Sequence, residues 1–217
     1  MICRNVQGIK IVILGFYFRS LNYRKIKFGK YFADEWNIDP DKVAVAGSSA
    51  GGMIALWIAF HDELADAGSA DPVTRMSSRV RAVAGYNTQS TVDPGILLEL
   101  IGHKEPVLLD FFGLTADEYN TPKAHELYAQ ASAITHATQD APPVFLCYNS
   151  EMLSIDAELS DEEKIHHPVF GKYLKDKLVS LGVECEWYYL AQDPAPVTIQ
   201  GMFVKMVDFL MRHLNVN

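Results

Sequence analysis

Short apolar runs suited to strands alternate with apolar stripes at helical spacing from one end of this chain to the other. A chain patterned this way has to cover its strands with helices, which is the signature of a mostly parallel sheet with helical crossovers. Strands are predicted within 9–21 and at 43–46, 80–86, 144–148 and 183–190. Helices are predicted at 25–36, 53–64, 169–181 and 202–214. Asn37-Ile38-Asp39-Pro40 stops the first helix, because a proline disfavours helical geometry in the residue before it. Between the strands at 80–86 and 144–148 lies an irregular, mainly helical stretch, 94–135, with Phe111, Phe112, Tyr119 and Tyr128. An acidic loop is expected over 149–164. The expectation is a single α/β domain over 1–217, a mostly parallel sheet of five or six strands flanked by helices, with 94–135 as a cap-like insertion.

Composition narrows the function classes. With 217 residues, 49% of them hydrophobic, the chain has enough apolar material for one sizeable core. The 27 acidic and 19 basic residues give a net charge of −8, and the basic ones are scattered, so binding to nucleic acid is not expected. Cys3, Cys147 and Cys185 are far apart and lack paired metal-ligand spacing, so they read as ordinary thiols. The apolar run 11–18 is about half the length that crosses a bilayer, and no small-residue cleavage site follows it. It reads as a buried strand, and no membrane span is expected. As it stands the chain reads as cytoplasmic, and as secreted if a signal segment precedes it.

The chemistry centres on Gly47-Ser48-Ser49-Ala50-Gly51, which fits G-x-S-x-G. Gly and Ser are common, so the context decides. The pentapeptide follows a short buried strand directly and opens a helix directly, as a nucleophile elbow does. A sharp strand-to-helix turn strains its middle residue and lifts the Ser49 hydroxyl clear of the sheet. The helix N-terminus favours an oxyanion, and the backbone N–H of Ala50 is placed to donate to it. The alternative is a Gly/Ser turn that caps a helix and does no chemistry.

The stretch Asp39-Pro40-Asp41-Lys42-Val43-Ala44-Val45-Ala46-Gly47-Ser48-Ser49-Ala50-Gly51-Gly52 resembles the nucleophile region of the α/β-hydrolase superfamily. More narrowly it resembles the hormone-sensitive-lipase-like bacterial esterases, with their string I-D-P-x-R/K-[IV]-A-x-x-G-x-S-A-G-G. Ser20-Leu21-Asn22-Tyr23-Arg24 is similar to the S-x-N-Y-R that ends the preceding strand in that family, and Asp140-Ala141-Pro142-Pro143-Val144-Phe145-Leu146 to the approach to its acid-bearing strand. The resemblance implies an α/β-hydrolase fold and hydrolysis of a small carboxylic ester through an acyl-enzyme on Ser49. It implies no metal or organic cofactor.

Departures from the family pattern are equally specific. No His-Gly-Gly occurs, although that segment supplies the family's other oxyanion donors, and too little chain precedes the matching strand to hold the family's first strands. The chain therefore reads as truncated at its front, with an exposed sheet edge at the 11–21 strand that invites pairing with another copy. The family's histidine follows the last strand, but 191–202 contains none, and His213 is expected to face solvent at the end of the terminal helix.

His166 and His167 are the candidate substitutes, on a loop that leaves the sheet at the same edge as Ser49. Their alternative role is a helix-start segment whose imidazoles cap backbone groups or meet solvent. Glu151 and Asp156 are the nearest acids, although strand alignment puts Met152 close to the family's aspartate. Asp161, Glu162 and Glu163 read as a solvated helix N-terminus. The competing expectation is a degenerate, inactive hydrolase fragment with a binding role or none.

Overall fold

The computed structural model describes residues 2–6, 9–14, 22–102, 112–154, 159–191 and 198–216, with side chains from residue 23 onward. Among the described residues, six strands form one sheet in sequential order: β1 (Ile2–Val6), β2 (Ile9–Leu14), β3 (Val43–Ser48), β4 (Ala82–Tyr86), β5 (Val144–Tyr148) and β6 (Cys185–Tyr189). β1 runs antiparallel to β2, and every later pair is parallel. The helices are α1 (Asn22–Tyr31), α2 (Ala50–Phe60), α3 (Pro94–Ile101), α4 (Pro122–Ala131), α5 (Asp161–Ile165), α6 (Val169–Ser180) and α7 (Ile199–His213), with a 3₁₀ turn at Ala133–His136.

The strand period of two divides the core. Val43 and Val45 of β3 join Val83, Leu146 and Tyr148 in packing under α1, α2 and α6. Ala44 and Ala46 point to the opposite face with Ala82, Ala84, Phe145 and Cys147, where α7 brings Met202, Phe209 and Leu210. Alanines on that side let α7 sit close to the sheet. Phe145, Phe170, Leu174, Leu178 and Leu210 are fully buried, and each such side chain contributes roughly 1.5–3 kcal/mol of burial. In the 94–135 stretch, Leu97 and Ile101 of α3 and Ala133 and Ile134 of the 3₁₀ turn join the main core. Leu114 with Ala124 and Tyr128 of α4 forms a small separate cluster.

Three expectations are corrected. β2 has a neighbour on each side, because Ile2–Val6 pairs with it from Ile2↔Ile13 to Val6↔Ile9, so the edge foreseen at 11–21 is filled and β1 is the outer strand. Residues 15–21 of that expected strand lie outside the described residues. The acidic loop contains the short helix α5, started by a capping box in which Ser160 Oγ accepts from Glu163 N–H and the Glu163 carboxylate accepts from Ser160 N–H. The imidazole of His213 is only 17% exposed, packs on Phe209 at 4.5 Å and lies 3.4 Å from Glu184, because α7 turns that face toward β6. Cys147 and Cys185 are free thiols, both pushed up to about 12 by burial. Among the described residues, no helix is long and apolar enough to cross a membrane.

Candidate active site

β3 ends and α2 begins around Ser49, whose backbone sits at φ 51° and ψ −124°. A side chain at such a positive φ is strained, so the turn persists only because its surroundings hold it. Ser49 N–H donates to Tyr86 O at 2.9 Å, and Ser49 O accepts from Met53 N–H at 3.0 Å and from Thr88 Oγ1 at 3.2 Å. Two glycines make the tightness possible. A Cβ at Gly47 would overlap the Gly51 carbonyl, and one at Gly52 would come within 2.6 Å of Thr88 Cβ. Ser49 occupies the N-cap position of α2, yet its side chain makes no capping hydrogen bond. A helix cap uses its hydroxyl on the helix, whereas this hydroxyl points elsewhere.

It meets His166: Nε2 lies 3.0 Å from Ser49 Oγ. With the imidazole proton on Nδ1, the serine hydroxyl donates to Nε2, the arrangement in which a histidine takes a proton from a nucleophile. His166 sits just beyond the last residue of α5, and both it and Ser49 are half-buried. Desolvation holds its pKa below the ordinary histidine value of 6.5, and the negative charge of Glu162 one turn earlier opposes that shift. The base form is therefore the resting form at neutral pH. Ala50, the first residue of α2, carries one of the first-turn N–H groups that a helix leaves unpaired.

His167 is spent on structure. Its Nδ1 accepts from Val169 N–H at 3.1 Å, so its proton is on Nε2, which donates to Leu153 O at 3.1 Å. The imidazole is buried, and that burial lowers its pKa. Of the adjacent histidines, one therefore anchors the start of α6 and the other faces Ser49. Glu151 is exposed, and among the described residues no hydrogen bond joins it to His166. It lines a cavity of about 280 Å³ with Leu153, Glu163 and His167, and neither Ser49 nor His166 lines that cavity. Asp156 lies outside the described residues.

Glu162, read from sequence as part of a solvated face, is exposed but is the charge that His166 senses. The Tyr86 carbonyl and the Thr88 hydroxyl, which hold the Ser49 backbone, were not foreseen. Only the position of Tyr86 at the end of the strand beside β3, with Thr88 two residues beyond it, hinted at them.

The Prolyl oligopeptidase family matches residues 25–86, the stretch from α1 through Ser49 to the end of β4. No curated protein matches the chain. Among solved structures, it is similar to an acetyl ester-xyloside bifunctional hydrolase from Caldicellulosiruptor lactoaceticus, with 23% identity and a TM-score of 0.62 over 90% of this chain and 65% of that one. A truncated form of a carbohydrate esterase from gut microbiota aligns at 16% identity and TM-score 0.55, over 89% of this chain and 67% of that one. The thermophilic esterase Est2 of the Planctomycetes species Thermogutta terrifontis aligns at 15% and 0.55, over 88% and 62%. The chain thus spans about two thirds or less of the length of these structures. What they share with it is the architecture: the chain has the α/β-hydrolase fold.

Proposed function

We propose that the protein hydrolyses small carboxylic esters through an acyl-enzyme on Ser49, with His166 as general base. The observation that carries this is the 3.0 Å contact between His166 Nε2 and a serine hydroxyl held on a strained strand-to-helix turn. Ser49 Oγ attacks the ester carbonyl while its proton passes to Nε2, and the N–H of Ala50 donates to the oxyanion that forms. Collapse of that intermediate breaks the acyl–oxygen bond, and the imidazolium returns its proton to the departing alkoxide. A water molecule, deprotonated by the same nitrogen, then releases the acid and regenerates Ser49.

The substrate class is a short acyl group, acetyl above all, on an alcohol or a sugar. It is supported by the fold shared with a hydrolase of acetyl esters and with a carbohydrate esterase. The part of 94–135 that packs outside the main core, the cluster of Leu114, Ala124 and Tyr128, acts as a cap.

Turnover of p-nitrophenyl acetate tests the proposal. Ser49→Ala and His166→Ala should each reduce kcat/KM by about a thousandfold or more, since a nucleophile without its base and a base without its nucleophile fail together. Equal turnover by the protein and Ser49→Ala would overturn it.

A further inference from the structure

Four consecutive residues leaving β4 each bond to a different part of the site. Asn87 pairs with Asn149 twice: its Nδ2 donates to Asn149 Oδ1 at 2.6 Å, and its Oδ1 accepts from Asn149 N–H at 2.9 Å. Thr88 Oγ1 donates to Ser49 O at 3.2 Å, and Thr88 O accepts from the buried Tyr148 hydroxyl at 2.6 Å. Gln89 Nε2 donates to Ile165 O at 2.5 Å, and Ser90 Oγ donates to Phe170 O at 3.1 Å. Asn87, Thr88 and Ser90 are buried, so this segment is a fixed frame rather than a mobile loop.

The Gln89 bond falls at a weak point. Ile165 ends α5, a helix of only five residues, and the carbonyls of a last turn have no partner within their own helix. His166 follows in the next position with φ −109° and ψ 15°, off the regular helix. Its imidazole therefore hangs one peptide unit from the carbonyl that Gln89 grips. Through Thr88 the same tetrapeptide grips the carbonyl of Ser49. Both partners of the 3.0 Å contact are thus referenced to one strand end.

We propose that Gln89 is a positioning residue that holds His166 within reach of Ser49. Among the described residues no hydrogen bond joins it to the serine hydroxyl or to the imidazole, and it acts through the backbone of Ile165. The proposal rests on the Ser49–His166 pairing argued above, so its test carries one readout that needs no catalysis.

Gln89→Met keeps the length of the side chain and removes its donor. Ser90→Ala removes the neighbouring bond to Phe170 and serves as the control for general loosening. Two quantities are measured on each folded variant: the rate of fluorophosphonate labelling at pH 7, and the titration of the His166 ring by NMR. Displacement of a reacting group by about an ångström costs up to about a hundredfold, so Gln89→Met should label about ten- to a hundredfold more slowly. Its His166 titration should also move toward the ordinary value as the ring swings toward solvent. Ser90→Ala should leave that titration in place.

Wild-type labelling together with an unmoved titration in Gln89→Met would overturn the proposal. So would equal movement in Gln89→Met and Ser90→Ala. If the wild-type protein is never labelled, the hydrolase proposal fails, while the titration still decides whether Gln89 sets the place of His166. Should Gln89→Met not fold, Gln89→Leu, which also lacks the donor and adds no charge beside the imidazole, is judged by the same two measurements.

Discussion

Replacing Ser49 by glycine should stabilise the protein relative to replacing it by alanine, against the usual ranking of the two residues. At φ 51° and ψ −124° a residue with a Cβ carries about 1–3 kcal/mol of backbone strain, which glycine does not. Glycine in turn makes the unfolded chain freer, at a cost of about 0.5–1 kcal/mol. Both variants lose the contact with His166, so that loss cancels in the comparison. The difference is about 1 kcal/mol in favour of Ser49→Gly, or about 2–4 °C in Tm for a chain of this size. Thermal and urea unfolding of the two variants side by side measure it, and neither variant should accept a phosphonate label. If Ser49→Ala proves as stable as Ser49→Gly or more so, the backbone at 49 is relaxed and the elbow geometry is wrong.

Gly52→Ala should destabilise by about 1–3 kcal/mol in urea unfolding, even though alanine is the better helix former, because its Cβ would meet Thr88 at 2.6 Å; a rise in stability would mean that α2 and Thr88 are not so close. His166 and His167 both have pKa values lowered chiefly by desolvation, so the unfolded chain binds protons more readily than the folded one. Stability should therefore be fully present above the ordinary histidine value of 6.5 and decline as pH falls through that value toward the folded ones. Urea midpoints between pH 8 and 5 should show a shallower decline in His167→Gln, and an identical slope would contradict the burial.

Glu63 provides a second acid-sensitive point. Partial burial raises its pKa, but hydrogen bonds from Ser77, Ser78 and Ala65 outweigh that and bring it to about 2. Its contribution should be present above the ordinary 4.5 and be lost as pH falls toward 2. Glu63→Gln should cost about 1 kcal/mol at pH 7, a figure kept small because the carboxylate is exposed and screened by solvent. No change in the urea midpoint would refute that role.

Local chemistry made much of this molecule legible in its sequence. Gly47 and Gly52, the short buried strand read at 43–46 and the apolar helix after it point to one turn, and that turn is present. β1 escaped notice because Ile-Cys-Arg-Asn-Val has little strand pattern of its own and is ordered by pairing with β2. The acidic run Asp161-Glu162-Glu163 read as the solvated N-terminus of the next helix and does form a helix first turn, but that turn belongs to the short helix α5, which Ser160 three residues before Glu163 announced.

His166 and His167 are adjacent and chemically identical, so no sequence pattern could say which would be used. Their separation depends on the fold placing Leu153 beside one and Ser49 beside the other. Gln89 and Ile165 are 76 positions apart, and nothing local links them.

Everything proposed for this chain depends on a serine hydroxyl made nucleophilic by an imidazole that arrives from the helix after β5 rather than from the end of β6. Mass spectrometry of the protein treated with a fluorophosphonate measures this most directly. One adduct should form, on the peptide containing Ser49, and it should form at least about a hundredfold more slowly in His166→Gln. An adduct on any other residue, or an undiminished rate without the His166 imidazole, would contradict it.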